Sequence, residues 1–484
     1  MQKKFITNLA LLLLLNLLIK PFWILGIDRA VQNAVLPGDY GLYYALFNFS
    51  FLLNILLDFG ITNFNNKNIA QNNHLLSKHL SSIVFLRIIL GGLYMFGSLA
   101  FAALIGYRGY NLLLVAVMGA NQFLASFILY LRSNLAGLHL FKTDSVISVL
   151  DRLIMILFCA LLLWGGVSSP SNPFKIEWYI YCQTAAYVLT VIITLLLVFN
   201  KAKIRKITWR PAFFLVILKK SYPYAILVLL MTFYNRIDAV MLERILADGE
   251  IQSSIYASAY RLLDAANMIA YLFAGLLLPI FARMIKLRHR LEDLVKLSFS
   301  LLIVLSFTAA TGTWFFSKDL TEMLYTHHTE ASAQVLQLLM CCFVFVSTTY
   351  VFGTLLTANG NLRELNIMAF SGMLLNIGLN FVLIPHYKAA GSAASSLITQ
   401  GLTAIAQVIL AARVFKFKTD YIFLFRIALF CLFTAAAGYF ISVKLPSQGA
   451  LSALLILGAG APIVALATGV ISIPGLLKAI REDV

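Results

Sequence analysis

The chain has 484 residues, 61% of them apolar and 12% charged, with a mean hydropathy of +0.88. Soluble globular chains are roughly 45–50% apolar and about 25% charged, so these proportions exclude a water-soluble enzyme. The net charge of +17, from 37 Lys plus Arg against 20 Asp plus Glu, reads as basic loops that orient membrane helices rather than as a surface for nucleic acid.

Fourteen apolar spans are predicted, at 6–28, 40–64, 80–105, 111–136, 145–166, 178–199, 221–243, 254–281, 297–316, 333–357, 365–385, 391–412, 422–442 and 450–472. Each is near the ~20 residues that a helix needs to cross a bilayer. The expected class is therefore an all-α, polytopic membrane protein. The first span follows Lys3 and Lys4, lacks a small-residue cleavage site and runs on through Phe22–Ile27. It is read as a retained helix, not a removed signal. Lys20 precedes Pro21, which removes a helix hydrogen bond and favours a kink.

The loop at 201–220 divides six spans from eight. It mixes Lys201, Lys203, Arg205, Lys206, Arg210, Lys219 and Lys220 with Trp209, Phe213 and Phe214, a composition suited to the anionic inner leaflet. The expected organisation is an N-terminal lobe over 1–200, this basic cytoplasmic linker over 201–220, a second lobe over 221–413, and two additional helices with a short tail over 414–484. If the N-terminus is inside and the spans alternate, inner segments hold 24 basic residues and outer segments 7. That asymmetry puts both termini in the cytoplasm. A faint echo joins Asp39–Ala45, at the start of the second span, to Ser253–Ala259, at the start of the eighth; six-helix repeats are common in transporters.

Six basic residues fall inside spans: Lys20, Arg87, Arg152, Arg236, Arg261 and Arg426. Each costs about 2.5–3.5 kcal/mol at mid-membrane on insertion scales, so such residues face a bundle interior or a wet cavity. Arg426 is shallow enough to snorkel, and Arg152, beside Asp151, reads as snorkelling or a structural ion pair. Arg261 and Asp264 are three residues apart and can pair on one helix face. Lys20, Arg87 and Arg236 have no acid at a facing position on their own helices. Lys20, Arg87, Arg236 and Arg261 are thus the candidate cavity residues. A cavity lined by cations selects an anion, and phosphate or pyrophosphate suits the guanidinium fork. Asp238, Asp264 and Asp58 are candidates to tune that field or to couple H⁺ or Na⁺.

The five cysteines lie in apolar runs without metal-ligand spacing, so neither a disulfide framework nor a zinc site is expected. His327 and His328 sit in a polar outer loop with Asp319, Glu322 and Glu330, which reads as a solvated loop. No Walker A, serine-hydrolase or HExxH motif occurs. No cofactor is expected. A membrane transferase or polymerase would need a sizeable outer loop or an acidic pair there, and neither is found.

Four stretches carry a family likeness. Leu36-Pro37-Gly38-Asp39-Tyr40-Gly41-Leu42-Tyr43, Leu57-Asp58-Phe59-Gly60-Ile61, Arg236-Ile237-Asp238 with Ile255–Leu262, and Leu383-Ile384-Pro385-His386-Tyr387 running to Ala390–Ala394 occur in this order. Together they resemble the bacterial polysaccharide (O-antigen, Wzx-type) flippases of the multidrug/oligosaccharidyl-lipid/polysaccharide exporter superfamily. Lys388 stands where the family usually has glycine, and Asn65-Asn66 stand where a basic residue is common. The resemblance implies two six-helix lobes plus two helices around a central cationic cavity. It implies a flippase in the bacterial inner membrane, moving a polyprenyl-pyrophosphate-linked oligosaccharide outward by alternating access, with the polysaccharide assembly machinery as a further partner. The alternatives are an ion-coupled drug antiporter of the same superfamily, whose cavity would be led by acids, and a membrane glycan transferase or polymerase.

Overall fold

The computed structural model describes residues 14–62, 65, 69, 75–138, 140–169, 172–201, 211–444 and 449–471. Lys3, Lys4, Lys67, the linker residues 202–210, and Lys478 and Arg481 lie outside them. Among the described residues the secondary structure is helical, apart from an isolated bridge between Ser169 and Asn172.

The N-terminal segment is helical from residue 14, widens into a π-helical turn over Trp23–Asp28 and continues as α1, Arg29–Ala34. The first helix therefore extends beyond its predicted end at 28. The wide turn starts two residues after Pro21, where the helix ladder has lost a donor. After the N-terminal segment, thirteen α-helices are bounded among the described residues: α1, α2 (Pro37–Leu52), α3 (Leu75–Leu104), α4 (Gly109–Gly137), α5 (Phe141–Trp164), α6 (Ile176–Phe199), α7 (Pro211–Ile245), α8 (Gly249–Lys286), α9 (Glu292–Leu324), α10 (Thr329–Asn359), α11 (Leu362–Phe415), α12 (Tyr421–Lys444) and α13 (Gly449–Ala467). Among the described residues, eleven helices are long and apolar enough to cross a membrane, and these are α3 to α13.

One predicted span takes a different form. The second span was read as one helix over 40–64, but α2 stops at Leu52 and gives way to a 3₁₀ turn over Asn54–Leu57. Phe59 (φ 45°) and Gly60 (φ 79°) then take left-handed backbone before helix resumes at Ile61. The Asp58 carboxylate fixes this break, because it accepts the N–H groups of Gly60 (3.2 Å) and Thr62 (3.1 Å) as a helix cap does. The eleventh and twelfth spans were expected to part between 385 and 391, and α11, 54 residues long, is two helices that meet in a kink at Lys388 (φ 52°, ψ −132°), inside that gap.

The chain divides into two compact units, Met1–Val240 and Met241–Val484. In the first, α4 is the central post, packed against α2, α3, α5 and α6. Its core includes Leu86 and Leu90 of α3, Leu131 and Leu135 of α4, Ile147 of α5 and Val191 of α6. In the second, α10 is the post and packs against α8, α9 and α11, while α12 and α13 pack on α9. The sequence echo falls on matching helices: α2 and α8 each pack on their unit's post, six helices apart in the chain. Lipid tails are as apolar as leucine, so association here depends on close contact. Gly438 of α12 shows how close: a Cβ there would lie 2.8 Å from Thr311 Cγ2 and 2.9 Å from Phe315 Cδ2 of α9.

Candidate functional site

Three clusters of polar side chains in the first unit bear on the candidate site. The first surrounds Arg87 of α3, whose side chain is 1% exposed. Its Nη2 donates to Asp58 Oδ1 and to Thr62 Oγ1 (2.6 Å). Its Nη1 donates to the Ser126 carbonyl (3.1 Å) and Ser126 Oγ (2.8 Å) of α4. The guanidinium also lies 5.0 Å from the Tyr130 ring centroid. Asp58 further accepts the Thr62 hydroxyl at 2.5 Å. The expectation of an uncompensated charge at Arg87 is therefore corrected. Its carboxylate partner stands 29 positions away in the chain, where a search along one helix does not find it. Asp58 is correspondingly committed to Arg87 and to capping the helix restart, so little of it remains for an ion.

The second cluster lies where the N-terminal helix meets α5. Asn16, Lys20, Trp23 and Ile27 recur at spacings of four, three and four, and so do Ser148, Arg152, Met155 and Cys159; each set lines one helix face. Asn16 Nδ2 donates to Ser148 Oγ (3.0 Å). The Arg152 guanidinium stands 4.3 Å from the Trp23 ring centroid and 5.8 Å from that of Tyr187 on α6. Arg152 donates to Tyr187 Oη (3.3 Å) and, at 3.9 Å, to Met155 Sδ, and Asp151 Oδ2 lies 3.5 Å from its Nε. Lys20 is within electrostatic range of Arg152, Asp151 and Arg132. Arg132 is bound through Nε (2.8 Å) and Nη2 (3.3 Å) to Asp144. Among the described residues Lys20 has no hydrogen-bond or ion-pair partner. Lys20 and Arg152 are both only partly buried.

The third cluster was not anticipated. Asp28 stands at the expected end of the first span. It lies inside the continuing helix, fully buried, and accepts the hydroxyls of Tyr40 (2.7 Å) and Tyr179 (2.6 Å). Tyr40 and Tyr43 open α2 and Tyr179 opens α6, so this carboxylate joins three helices. Tyr40 was visible in the sequence, within one of the family-like stretches; its acid was not.

Of the remaining candidates, Arg236 on α7 donates to Asn48 Oδ1 (3.3 Å) of α2 and lies 5.4 Å from the Phe51 ring centroid. Asn48 points its own Nδ2 at the Tyr44 carbonyl (2.8 Å), which leaves the amide oxygen to accept. Asp238 is buried at 1% exposure. In the second unit, Arg261 is buried on α8 and Asp264 is partly buried one turn on. The structure thus joins Arg87 to Asp58, and places Lys20 within electrostatic range of Arg152. Among the described residues no group of three or more His, Cys, Asp or Glu could hold a metal ion, His327 and His328 included.

At the membrane border of the second unit, Lys388 Nζ donates to Asp248 Oδ2 (2.8 Å), which also accepts Gln252 Nε2 (2.9 Å). The hydrogen bond from Lys388 holds the Asp248 carboxyl below the usual carboxylate range. Gln252 Oε1 accepts the Ala389 N–H at 3.3 Å, just past the break in α11. The side chain that replaces the family's glycine is thereby tied down beside its own strained backbone.

This fold matches solved transporters. A structure described as the lipid II flippase MurJ in an inward closed conformation superposes with a TM-score of 0.71 at 15% identity, over 92% of this chain and 96% of that one. An inward-facing multidrug resistance MATE family transporter of the MOP superfamily gives 0.65 at 15% identity, over 82% and 94%. A MOP superfamily transporter from Pyrococcus furiosus, described by the reverse polarity of its binding pocket, gives 0.53 at 16% identity, over 84% and 93%. The fold is the one that these transporters share. No curated protein matches the chain in sequence. A family model for polysaccharide biosynthesis proteins matches residues 7–285, more than half of the chain, and the chain belongs to that family.

Proposed function

We propose that the chain is a flippase carrying a polyprenyl-pyrophosphate-linked oligosaccharide from the inner to the outer leaflet of the bacterial cytoplasmic membrane by alternating access. Family membership and the transporter fold support the class. The single observation that carries the substrate is Lys20: a cation roughly fifteen residues into a membrane helix, where burial is costly, with no protein group bound to it among the described residues. A pyrophosphate bound there would supply the missing counter-charge. Arg236 and Arg261 are kept as further contacts to pyrophosphate or acidic sugars. Arg87 is expected to shape the unit rather than touch the substrate.

The reading includes fourteen spans. These are the eleven long helices, with α11 counted as two about its break at Lys388, and two at the N-terminal end through residues 14–34 and 37–62. Both termini then face the cytoplasm, with the linker on the anionic inner leaflet. Coupling to H⁺ or Na⁺ is assigned to Asp238 and Asp264. The likeness to MATE transporters and the buried acids Asp28 and Asp238 favour a second reading, an ion-coupled drug antiporter. Deletion in the native host separates the two. A flippase leaves a lipid-linked glycan accumulated on the inner face, whereas an antiporter leaves glycan export intact and changes drug tolerance.

A further inference from the structure

The geometry points to Arg152, acting with Lys20, as an oxyanion subsite that takes the phosphoryl group of the lipid-linked substrate. This rests on the flippase reading and assigns that substrate a place in the first unit. Arg152 lies outside the candidate residues read from the sequence, where it passed as a snorkelling or structural arginine. A structural arginine in this same unit looks like Arg87: 1% exposed, with Asp58, Thr62 and Ser126 accepting its N–H groups. Arg152 differs on each count. Its side chain is 20% exposed, its hydrogen bonds are long, at 3.3 Å to Tyr187 and 3.9 Å to sulfur, and Asp151 stands off at 3.5 Å. The five guanidinium donors meet one carboxylate, at 3.5 Å, and otherwise a phenol and a sulfur, although such donors form their best bonds to phosphate and carboxylate oxygens at shorter range.

The surroundings hold the cation without consuming it. Trp23 and Tyr187 present ring faces to the guanidinium, an attraction that fixes its position while its N–H edge stays available to an oxyanion. Lys20 sits beside it, so two cations repel within range of one carboxylate, Asp151, because Asp144 is engaged by Arg132. A dianionic phosphoryl group relieves that repulsion, and a neutral sugar does not. Ser148, Arg152 and Met155 share one α5 face and Asn16, Lys20 and Trp23 one face of the N-terminal helix, with Asn16–Ser148 closing the lower end. Tilting of the kinked N-terminal helix would therefore move Lys20 against Arg152 and open or close the subsite.

The test uses the full chain in lipid nanodiscs, titrated with farnesyl pyrophosphate, farnesol and inorganic pyrophosphate. The wild type should bind farnesyl pyrophosphate more tightly than either other probe. Arg152→Gln should weaken that binding about ten- to a hundredfold, as loss of a charged hydrogen-bonding partner does, and leave farnesol unchanged. Arg152→Lys should retain part of it. Asp151→Asn should tighten pyrophosphate binding, since it removes the competing acid; a structural role for the Asp151–Arg152 pair predicts weakening instead. Wild-type affinity in both Arg152 variants, or weakening in Asp151→Asn, overturns the subsite while leaving the flippase reading intact. A wild type that does not distinguish farnesyl pyrophosphate from farnesol overturns the flippase reading itself. Equal affinity for inorganic and farnesyl pyrophosphate overturns the lipid-linked assignment.

Discussion

Arg87 and the Lys20–Arg152 pair lie in the same unit and in the same kind of apolar surroundings, yet the protein treats them oppositely. Around Arg87 it gathers a carboxylate, two hydroxyls and a carbonyl, drawn from α4 and the turn at 58–62. Around Lys20 and Arg152 it gathers aromatic rings and one offset acid. The first arrangement gives both terminal nitrogens of its guanidinium close acceptors and leaves Nε without one, whereas the second gives Arg152 long contacts and Lys20 none among the described residues. Depth in the membrane therefore says that a charge needs a partner, but not whether the partner is protein or cargo.

The largest effect expected from this contrast is on stability at Arg87. Arg87→Ala leaves Asp58 without its buried counter-charge and should cost about 3–5 kcal/mol, seen as a steep loss of folded protein in thermal unfolding in detergent. Because Asp58 also caps the helix restart, Asp58→Asn should be milder than Asp58→Ala. If Arg87→Ala unfolds at the wild-type temperature, the two cation sites are not different in kind.

Next in size are the phenols on Asp28. Tyr40→Phe and Tyr179→Phe each remove one donor from a fully buried carboxylate, at about 1.5–3 kcal/mol. Their effects should be non-additive, because both act on one group. Additive losses in the same unfolding assay would place the two hydroxyls on independent partners.

Lys20→Gln should do the reverse of Arg87→Ala. It removes a cation with no bonded partner, so stability should stay within about 0.5 kcal/mol of wild type, while glycan export falls about tenfold or more. An unfolding shift as large as that of Arg87→Ala would make Lys20 structural.

The smallest effect belongs to the exposed Lys388–Asp248 pair. Asp248 is held below its unfolded value by the Lys388 hydrogen bond. Its contribution is thus present above the unfolded pKa, about 3.9, and fades as pH falls through the lower folded value. The pair is open to solvent and should be worth less than about 1 kcal/mol. Asp248→Asn should lower stability slightly at pH 7 and not at all at pH 3. An effect that persists at pH 3 would mean that the Asp248 amide geometry, not its charge, braces the break in α11.

Much of the architecture is legible in the sequence, because a bilayer leaves few options. Apolar length gives the spans, and Lys and Arg distribution gives their expected orientation. What escapes is interruption within a span. The break after Leu52 is set by a carboxylate that caps two N–H groups, and in sequence Asp58-Phe59-Gly60 reads as the family signature rather than as a turn. The π-helical turn that carries Asp28 inward was hidden for a related reason: an aspartate at a predicted helix end looks like loop. At the candidate site, depth singled out Lys20, which has no bonded partner among the described residues. It gave no sign of the acid beside Arg87, because Asp58 lies on another segment, and Arg152 beside Asp151 read as snorkelling or a structural ion pair. Facing residues on different helices decide these cases, and a single sequence does not pair helices.

The most direct test is export by Lys20→Gln at matched membrane abundance, with the lipid-linked glycan quantified on each face of the membrane. The account predicts a folded, abundant protein and an undecorated cell surface, with the intermediate trapped on the inner face. A folded Lys20→Gln variant that exports glycan at the wild-type rate would contradict it.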